Sequence, residues 1–353
     1  CARSGRMPQT TLPVVAMDCP TGTREIIEND VNGLLVADGD IQGMTAALNR
    51  MIEQPQLRQR LAAEALQSAL ARFAIQPVML QWEQLFIQLT HIGNQSTYTS
   101  GKPRAPQDSN RRRSILYLVF HGFEPNSGIT KKIHNQVKAL RQLGHDVHLC
   151  YYGFDEDLHR VRWVDDTVIA DYGQGALASI RSRFGLDCID RWCSLNGIEM
   201  VYVRSFHNAS PLTVRLMKRL RRLGIPVAME IPTYPYDAEY AGFPWREQLK
   251  LTIDRRFRRT LASNVTAIVT FSDCRRIFRQ RTIRISNGVN LDELPLAVHP
   301  QSDNAVHLTA VAEVHYWHGL DRLIDGLGHY YSETRGRNDI FHIVGGVGDS
   351  EMH

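Results

Sequence analysis

Two short polar segments follow predicted strands and carry side chains that could bind an anion. Ser127 and Gly128 follow the apolar run 115–120 and open a predicted helix, where free backbone N–H groups favour phosphate. His207 follows the apolar stretch 200–203, and its imidazole could polarise a hydroxyl or donate to a phosphate. The simpler alternatives are an ordinary helix start and a structural histidine.

The segment 230–237 (EIPTYPYD) combines carboxylates with aromatic rings. Glu230 and Asp237 could act as acid or base. Tyr234 and Tyr236 offer flat rings and hydroxyls that suit a sugar. The alternative is a rigid structural loop that is stiffened by its two prolines.

A further predicted strand end, 313–319 (EVHYWHG), carries two histidines and two aromatic residues. This cluster could contact a base or a sugar, and packing is the alternative. His315 and His318 lie three residues apart, but the sequence offers no third ligand beside them. We therefore predict no metal site.

The cysteines and the known catalytic signatures narrow the function classes. None of the six cysteines forms a CxxC pair, which predicts free thiols rather than a zinc site or a disulfide framework. The chain has no Walker A loop, GxSxG elbow or HExxH motif. The first apolar run is not followed by GxGxxG, which argues against an NAD-dependent oxidoreductase.

Basic charge is concentrated in one part of the chain. The net charge is +4, but residues 204–284 hold 17 Lys and Arg against 6 Asp and Glu. Leu212, Leu216, Leu220 and Leu223 recur there at helical spacing. Such amphipathic basic helices fit anionic lipid headgroups or an anionic ligand. A solvated helix face is the alternative, and no nucleic-acid-binding motif accompanies the charge.

The elements that must position these segments alternate between strand and helix from Ser114 onward. This alternation predicts an α/β fold with doubly wound parallel sheets, in which ligands bind at the carboxyl ends of strands. The predicted strands are 115–120, 147–151, 200–203, 227–231, 267–271, 282–285, 307–312 and 340–344, and the clearest helices are 129–143 and 319–331.

The part of the chain before Ser114 has a different organisation. Short strands are predicted at 12–17 and 34–36, followed by helices to about residue 87 that Pro55 and Pro77 divide. Residues 92–113 contain almost no large apolar side chains and are interpreted as a linker. The 43% hydrophobic content excludes a disordered chain. The sequence contains no run of about 18 apolar residues, so it predicts no transmembrane helix.

Four segments resemble the group 1 (family 4-type) glycosyltransferases of the GT-B architecture. Residues 12–40, with PVVA, EII and NGLLV, are similar to the late part of that family's C-terminal domain. Residues 126–149 (NSGITKKIHNQVKALRQLGHDVHL) resemble its first loop, helix and second strand. ISNGVNLDEL at 285–294 resembles the interdomain hinge, and residues 311–327 resemble the opening of a C-terminal domain.

The resemblance is to enzymes of the bacterial surface-polysaccharide type. It implies an unusual domain order. We expect the C-terminal part of one C-domain (1–91), a linker (92–113), the N-terminal Rossmann-like domain of a second enzyme (114–299) and the start of an incomplete C-terminal Rossmann-like domain (300–353). The alternative is a permuted enzyme in which residues 12–90 complete the last domain.

The resemblance also implies a reaction. A sugar would move from a nucleotide-diphosphate donor to a hydroxyl of a growing, lipid-linked bacterial polysaccharide. The enzyme would be cytoplasmic, would contact the anionic inner face of the cytoplasmic membrane through its basic helices, and would need no cofactor, metal or nucleic acid. The alternative is a non-catalytic remnant that binds sugar nucleotide without turnover, because residues 1–11 lack the family's paired glutamates.

Residue by residue, the match assigns roles on both sides of a cleft. His207 would contact the transferred sugar beside the acid–base candidates Glu230 and Asp237. Arg204 would join the two tyrosines of 230–237 on the acceptor side. The donor and phosphate side would comprise Ser127, Gly128, Gly22, Thr23, Glu313, His318, Gly345 and Gly346. Two of these, Glu313 and His318, replace an Arg and a Lys of the family, so they balance a leaving diphosphate less well.

Overall fold

A nine-stranded sheet dominates the computed structural model, which describes residues 12–18, 23–96, 111–123, 128–204, 209–237, 244–286, 288, 305–311, 324–325, 328 and 339–344. The strands of this sheet are β3 (Ser114–Val119), β4 (Asp146–Phe154), β5 (Arg160–Val164), β6 (Thr167–Asp171), β7 (Met200–Arg204), β8 (Val227–Ile231), β9 (Ala267–Thr270), β10 (Arg276–Ile277) and β11 (Gln280–Arg284).

The order of the strands is β10-β11-β9-β8-β7-β3-β4-β5-β6. From β11 to β4, each strand runs parallel to its neighbour. The central strands β7 and β8 are buried along their whole length, as expected for apolar runs covered on both faces of a parallel sheet. This arrangement confirms the predicted α/β class and is consistent with a Rossmann-type domain of the GT-B architecture.

Helices cover both faces of the sheet, so the domain is doubly wound. They are α5 (Gly128–Gln142), α6 (Gly175–Phe184), α7 (Asp187–Leu195), α8 (Pro211–Arg222) and α9 (Trp245–Ala262). Ile189 of α7, Leu216 of α8 and Leu251 of α9 belong to one apolar core, whereas Ile133 of α5 belongs to the other. The Ser210 hydroxyl caps α8 by accepting from the Thr213 backbone N–H at 3.2 Å.

The sheet ends in an antiparallel extension that the sequence did not predict. β5 pairs antiparallel with β4, and β6 pairs antiparallel with β5. The strand β5 (RVRWV) lacks the continuous apolar run of its neighbours, because it carries Arg162 in the interior. Asp165 makes the turn between β5 and β6 with a φ of 51°, a conformation that aspartate tolerates better than most residues.

The amino-terminal part of the chain forms two strands and four helices. They are β1 (Val15–Asp18), α1 (Thr23–Ile26), β2 (Leu34–Ala37), α2 (Ile41–Glu53), α3 (Pro55–Phe73) and α4 (Ile75–Ser96). The division between α3 and α4 falls at Ala74 rather than at Pro77, because proline is tolerated in the first turn of a helix. The last helix also runs past the predicted start of the linker at residue 92.

Helix α4 packs on the large sheet. Its buried residues share one core with Ile115, Tyr117 and Val119 of β3. The spacing of these residues follows the helical period, so a single stripe of the helix meets the sheet. The stripe consists of Val78, Met79, Trp82, Leu85, Phe86 and Leu89.

Two small parallel sheets lie outside the large one. β1 pairs with β2, and β12 (Val306–Val311) pairs with β13 (Asp339–Val344). The predicted strands 307–312 and 340–344 are thus confirmed to within one residue. The assignment of the two small sheets to separate enzymes stays a prediction, as does the alternative of one permuted domain.

The described residues also include long helices and four cysteines, which concern the predictions of no transmembrane helix and of free thiols. None of the described helices combines the length and the apolar character that a membrane span requires. Of the cysteines that the structure describes, Cys150, Cys188, Cys193 and Cys274 are free thiols.

Candidate functional site

Ionisable residues meet at the carboxyl edge of the two central strands. Arg204 ends β7 and is paired in register with Glu230, the penultimate residue of β8. The Arg204 guanidinium donates to Oε1 of Glu230 at 3.1 Å, and the Tyr202 hydroxyl donates to Oε2 at 2.5 Å. Glu230 is completely buried, so a charged carboxylate here needs these partners.

A second cation reaches the same carboxylate from α5. Nζ of Lys132 lies 3.7 Å from Oε1 of Glu230 and 4.3 Å from the centre of the Phe271 ring. Burial lowers the pKa of Lys132, and the Glu230 charge opposes this change. Two cations therefore share one carboxylate, which leaves about one net positive charge at the edge of the sheet.

Sequence reasoning missed Lys132. It lies one turn beyond Gly128 on the same helix, among Lys131 and Lys138, and a lysine pair at the start of a helix usually faces solvent. Both lysines have an amide one turn later, so the sequence alone does not separate them. In the structure Gln136, one turn after Lys132, faces the sheet and accepts from the Tyr117 hydroxyl at 2.7 Å, whereas Asn135, one turn after Lys131, is exposed.

The surroundings of Glu230 favour a positioning role over direct acid–base chemistry. Its oxygens are inaccessible and already engaged by two cations and a hydroxyl. Burial, together with the charge of Glu230, raises the pKa of Tyr202 and of Tyr117 well above the ordinary tyrosine value. Both hydroxyls consequently stay protonated, and Tyr202 remains a hydrogen-bond donor to Glu230.

Asp237 is held by arginines from α9. Arg258 donates two hydrogen bonds to its carboxylate at 2.8 and 3.2 Å, and Nε of Arg255 lies 3.6 Å away. The hydrogen bond from Arg258 lowers the pKa of Asp237. The carboxylate is thus ionised at neutral pH and poorly suited to accept a proton.

The two tyrosines of the loop differ in what they can contact. Tyr236 is buried and donates to Oδ2 of Asp254 at 2.7 Å, so its ring serves the fold. A cavity of about 10 Å³ beneath it has room for one water molecule rather than a sugar. Tyr234 stays partly exposed, edge-on to Phe278 at 5.6 Å. Of the two rings, Tyr234 is the one placed to meet a ligand.

The predicted donor-side residues are only partly described. Gly128 is the first residue of α5, and Thr23 opens the short helix α1 with its Oγ1 buried and without a hydrogen-bond partner among the described residues. The other predicted residues lie outside the described ranges: Gly22, Ser127, His207, Glu313, His318, Gly345 and Gly346. No group of three potential metal ligands occurs within the described part of the chain.

Two charged residues at the carboxyl edge of the large sheet affect Glu25 of helix α1. The pKa of Glu25 in α1 is raised by burial, lowered by the charge of Arg284 and raised by that of Asp273. Arg284 ends β11, and Asp273 follows β9 by three residues; the two form an ion pair.

Two family models of glycosyl transferases match the chain. The family model of the glycosyl transferase 4-like domain matches residues 127–285, and that of the glycosyl transferases group 1 matches residues 9–68. An exopolysaccharide phosphotransferase of Streptomyces coelicolor is 35% identical over 78 residues, which are 22% of this chain and 8% of that protein. The chain thus matches only a small part of this relative.

Among solved structures, MurG of Acinetobacter baumannii is similar over 67% of this chain and 69% of its own, with a TM-score of 0.32 and 11% identity. The two family models match the segments in which the sequence resembles a C-terminal and an N-terminal transferase domain. In this order along the sequence, they cover the amino-terminal piece as far as residue 68 and the large sheet from β4 onward. On the evidence of the two family models, the chain carries a glycosyl transferase 4-like domain and part of a glycosyl transferases group 1 domain.

Proposed function

We propose that the chain transfers a sugar from a nucleotide-diphosphate donor to a hydroxyl of a growing, lipid-linked bacterial polysaccharide. The observation that carries this proposal is the pair of cations, Lys132 and Arg204, at the carboxyl edge of the sheet. Their net positive charge suits a phosphate group, and partial burial strengthens the attraction relative to bulk water. Both substrates of such a reaction carry phosphate.

The chemistry assigned to these residues is electrostatic. Glycosyl transfer needs stabilisation of the departing diphosphate and a correctly oriented acceptor hydroxyl. Lys132 and Arg204 would balance the diphosphate charge together with the N-terminus of α5. Glu230 would hold both cations in place, and Tyr234 would line the acceptor side. The proposal assigns no step to a metal or an organic cofactor.

We propose further that the amino-terminal piece and the large sheet form one two-lobed transferase. Packing of α4 in the core of the sheet supports this arrangement. So does the hydrogen bond that the Ser286 backbone N–H donates to Oε1 of Gln81 at 2.6 Å, because it joins α4 to the chain just after β11. Gly22 and Thr23 would then meet the donor phosphates from the opposite lobe.

The location proposed for this reaction is the inner face of the cytoplasmic membrane. The basic helices α8 and α9 would contact anionic lipid there. Arg215, Lys218 and Arg222 on α8 are exposed and line a common groove. Such a surface suits the headgroups that surround a lipid-linked acceptor.

Turnover of candidate donors by the full chain tests the proposal. The protein is incubated with a panel of nucleoside-diphosphate sugars, with and without a bacterial lipid extract, and release of nucleoside diphosphate is measured. We expect release with at least one donor, stimulated by the extract. Tight donor binding in equilibrium dialysis without any release would instead identify a remnant that binds without turnover.

A further inference from the structure

The outward face of helix α9 combines apolar and basic side chains. Ten of its residues are exposed, and none of them is acidic. Three are large and apolar, five are cationic and two are threonines. They are Trp245, Arg246, Leu249, Lys250, Thr252, Ile253, Arg255, Arg256, Arg259 and Thr260.

The apolar residues form a continuous stripe. Trp245, Leu249 and Ile253 are spaced four residues apart and are 71%, 52% and 40% exposed. This spacing places them on one side of the helix over about 12 Å. Side chains of this size are usually buried in a folded protein, so three in a row on one helix indicate a surface that contacts something else.

Arginines accompany the stripe. At about 100° per residue, Arg256 points between Trp245 and Leu249, and Arg246 and Arg259 lie to either side. The Arg246 guanidinium lies 5.6 Å from the centre of the Trp245 ring. Within the described ranges, no ion pair involves any of these three arginines, whereas Lys250 pairs with Glu247 and Arg255 with Asp237. The three charges are thus available to an external anion.

The opposite side of α9 is firmly attached to the domain. Leu251 and Leu261 belong to the core beneath the sheet. Asp254 accepts from Tyr236 and from the backbone N–H of Ala209, and Arg258 holds Asp237. The helix cannot rotate its stripe inward without losing these contacts, so the exposed face is a stable feature of the fold.

We propose that this surface, the α9 face (Trp245, Arg246, Leu249, Ile253, Arg256 and Arg259), docks on a bilayer that contains anionic lipid. The proposal deepens the proposed function, on which it rests, by naming the helix and the manner of contact. The indole and the two aliphatic side chains enter the boundary between headgroups and acyl chains, and the arginines bind anionic headgroups. The loop with Tyr234, attached to the inner side of α9, then lies about one helix diameter, roughly 10 Å, from the membrane surface.

The composition of the α9 face favours a bilayer over other partners. A stable protein interface buries about 800 Å² on each partner, more than a stripe of three side chains provides. A nucleic acid would use the arginines and could stack on Trp245, but it offers nothing to Leu249 and Ile253. An anionic bilayer offers headgroups to the arginines and acyl chains to the apolar side chains.

Helix α8 provides the contrast. Its exposed cations are Arg215, Lys218, Arg221 and Arg222. The large apolar residues between them are buried, and the exposed Leu223 follows only at the end of the helix. We expect α8 to add electrostatic attraction without insertion. A variant that removes three cations from α8 and one that removes three from α9 change the net charge equally. Comparing their vesicle binding therefore distinguishes general electrostatic attraction from binding through the α9 face.

Vesicle binding by the full chain tests the proposal. Vesicles of phosphatidylcholine with and without phosphatidylglycerol are pelleted with the protein in about 0.1 M salt. We expect the double variant Trp245→Ser/Leu249→Ser to reduce the partition coefficient on anionic vesicles by about tenfold or more. Arg246→Gln/Arg256→Gln/Arg259→Gln should reduce it at least as much, and Arg215→Gln/Lys218→Gln/Arg222→Gln clearly less.

The two sets of variants also provide the outcomes that would overturn the proposal. Equal partition of wild type and Trp245→Ser/Leu249→Ser would show that the apolar stripe does not insert. An equal loss in the α8 variant would show that charge alone decides. Wild type that binds a soluble polyanion but no vesicle would assign the surface to a nucleic acid or an acidic protein.

Two further measurements keep the result interpretable. Circular dichroism establishes that the variants fold, which is expected because all substituted side chains are exposed. Release of nucleoside diphosphate without lipid should be unchanged in Trp245→Ser/Leu249→Ser. Lost vesicle binding with retained turnover would thus concern the α9 face alone, whereas absent turnover in wild type would concern the proposed function.

Discussion

Nε2 of His145 donates a hydrogen bond to the Glu83 carboxylate at 2.6 Å, although 62 residues separate the two along the chain. Nδ1 of the same ring accepts from the backbone N–H of Arg113 at 3.4 Å. The Arg113 guanidinium lies 3.6 Å from the other Glu83 oxygen. This largely buried cluster attaches α4 to the amino edge of the large sheet, so the helix is an integral part of that domain.

Replacing Trp82 by alanine should destabilise the large domain. The side chain is fully buried in α4 and lies 4.7 Å from the Tyr202 ring. Removing a buried aromatic group costs about 3–5 kcal/mol, which chemical denaturation would detect. Leu80→Ala on the exposed side of the same helix is the matched control, with an expected change of about 0.5 kcal/mol or less. Equal effects of the two changes would place α4 outside the core.

The hydrogen bond between Glu83 and His145 should show energetic coupling. A double-mutant cycle of Glu83→Gln and His145→Gln is expected to give about 0.5–3 kcal/mol, because both groups are shielded from water. The exposed pair Arg50–Asp30 serves as reference, with about 0–1 kcal/mol expected. A coupling for Glu83–His145 no larger than that of the reference would contradict the attachment of α4 through this cluster.

Asp237 should make folding stability depend on pH in the acid range. Its pKa in the folded state lies below the ordinary aspartate value because of Arg258. Its contribution is therefore complete at neutral pH and is lost as the pH falls through the folded pKa. Asp237→Asn should flatten the slope of the unfolding free energy against pH below about pH 4. An unaltered slope in Asp237→Asn would refute this linkage.

Glu230→Gln should alter the pH dependence of ligand binding. Glu230 opposes the lowering of the Lys132 pKa that burial causes. Without this charge Lys132 loses its proton at lower pH, so affinity for a nucleoside diphosphate should begin to fall at lower pH than in wild type. Glu230→Asp should restore part of the wild-type profile. A uniform loss of affinity at every pH would indicate a merely structural role.

The central strands were predictable, because continuous apolar runs such as Ile115–Phe120 are typical of buried parallel strands. Two features were not. The docking of α4 depends on which surface its apolar stripe meets, and the amphipathic pattern is the same for any core. The β5–β6 extension has polar interior residues, above all Arg162, and therefore lacks the apolar signal of its neighbours.

The candidate site was predictable in part for a similar reason. Arg204 and Glu230 end apolar runs, and the rule that ligands bind at strand ends identifies them directly. Lys132 lies inside a helix, where only its tertiary environment distinguishes it from Lys131. The loop tyrosines were recognised as a pair, but burial of Tyr236 follows from its hydrogen bond to Asp254, a contact between residues 18 positions apart.

The central claim, sugar transfer assisted by cations at the carboxyl edge of the sheet, is tested most directly by kcat/KM for release of nucleoside diphosphate in two neighbouring variants. Lys132→Met removes the cation that faces Glu230, and Lys131→Met removes an exposed charge one position earlier in α5. We predict a loss of about 100-fold in Lys132→Met and wild-type turnover in Lys131→Met. Equal turnover in wild type and Lys132→Met would contradict the account.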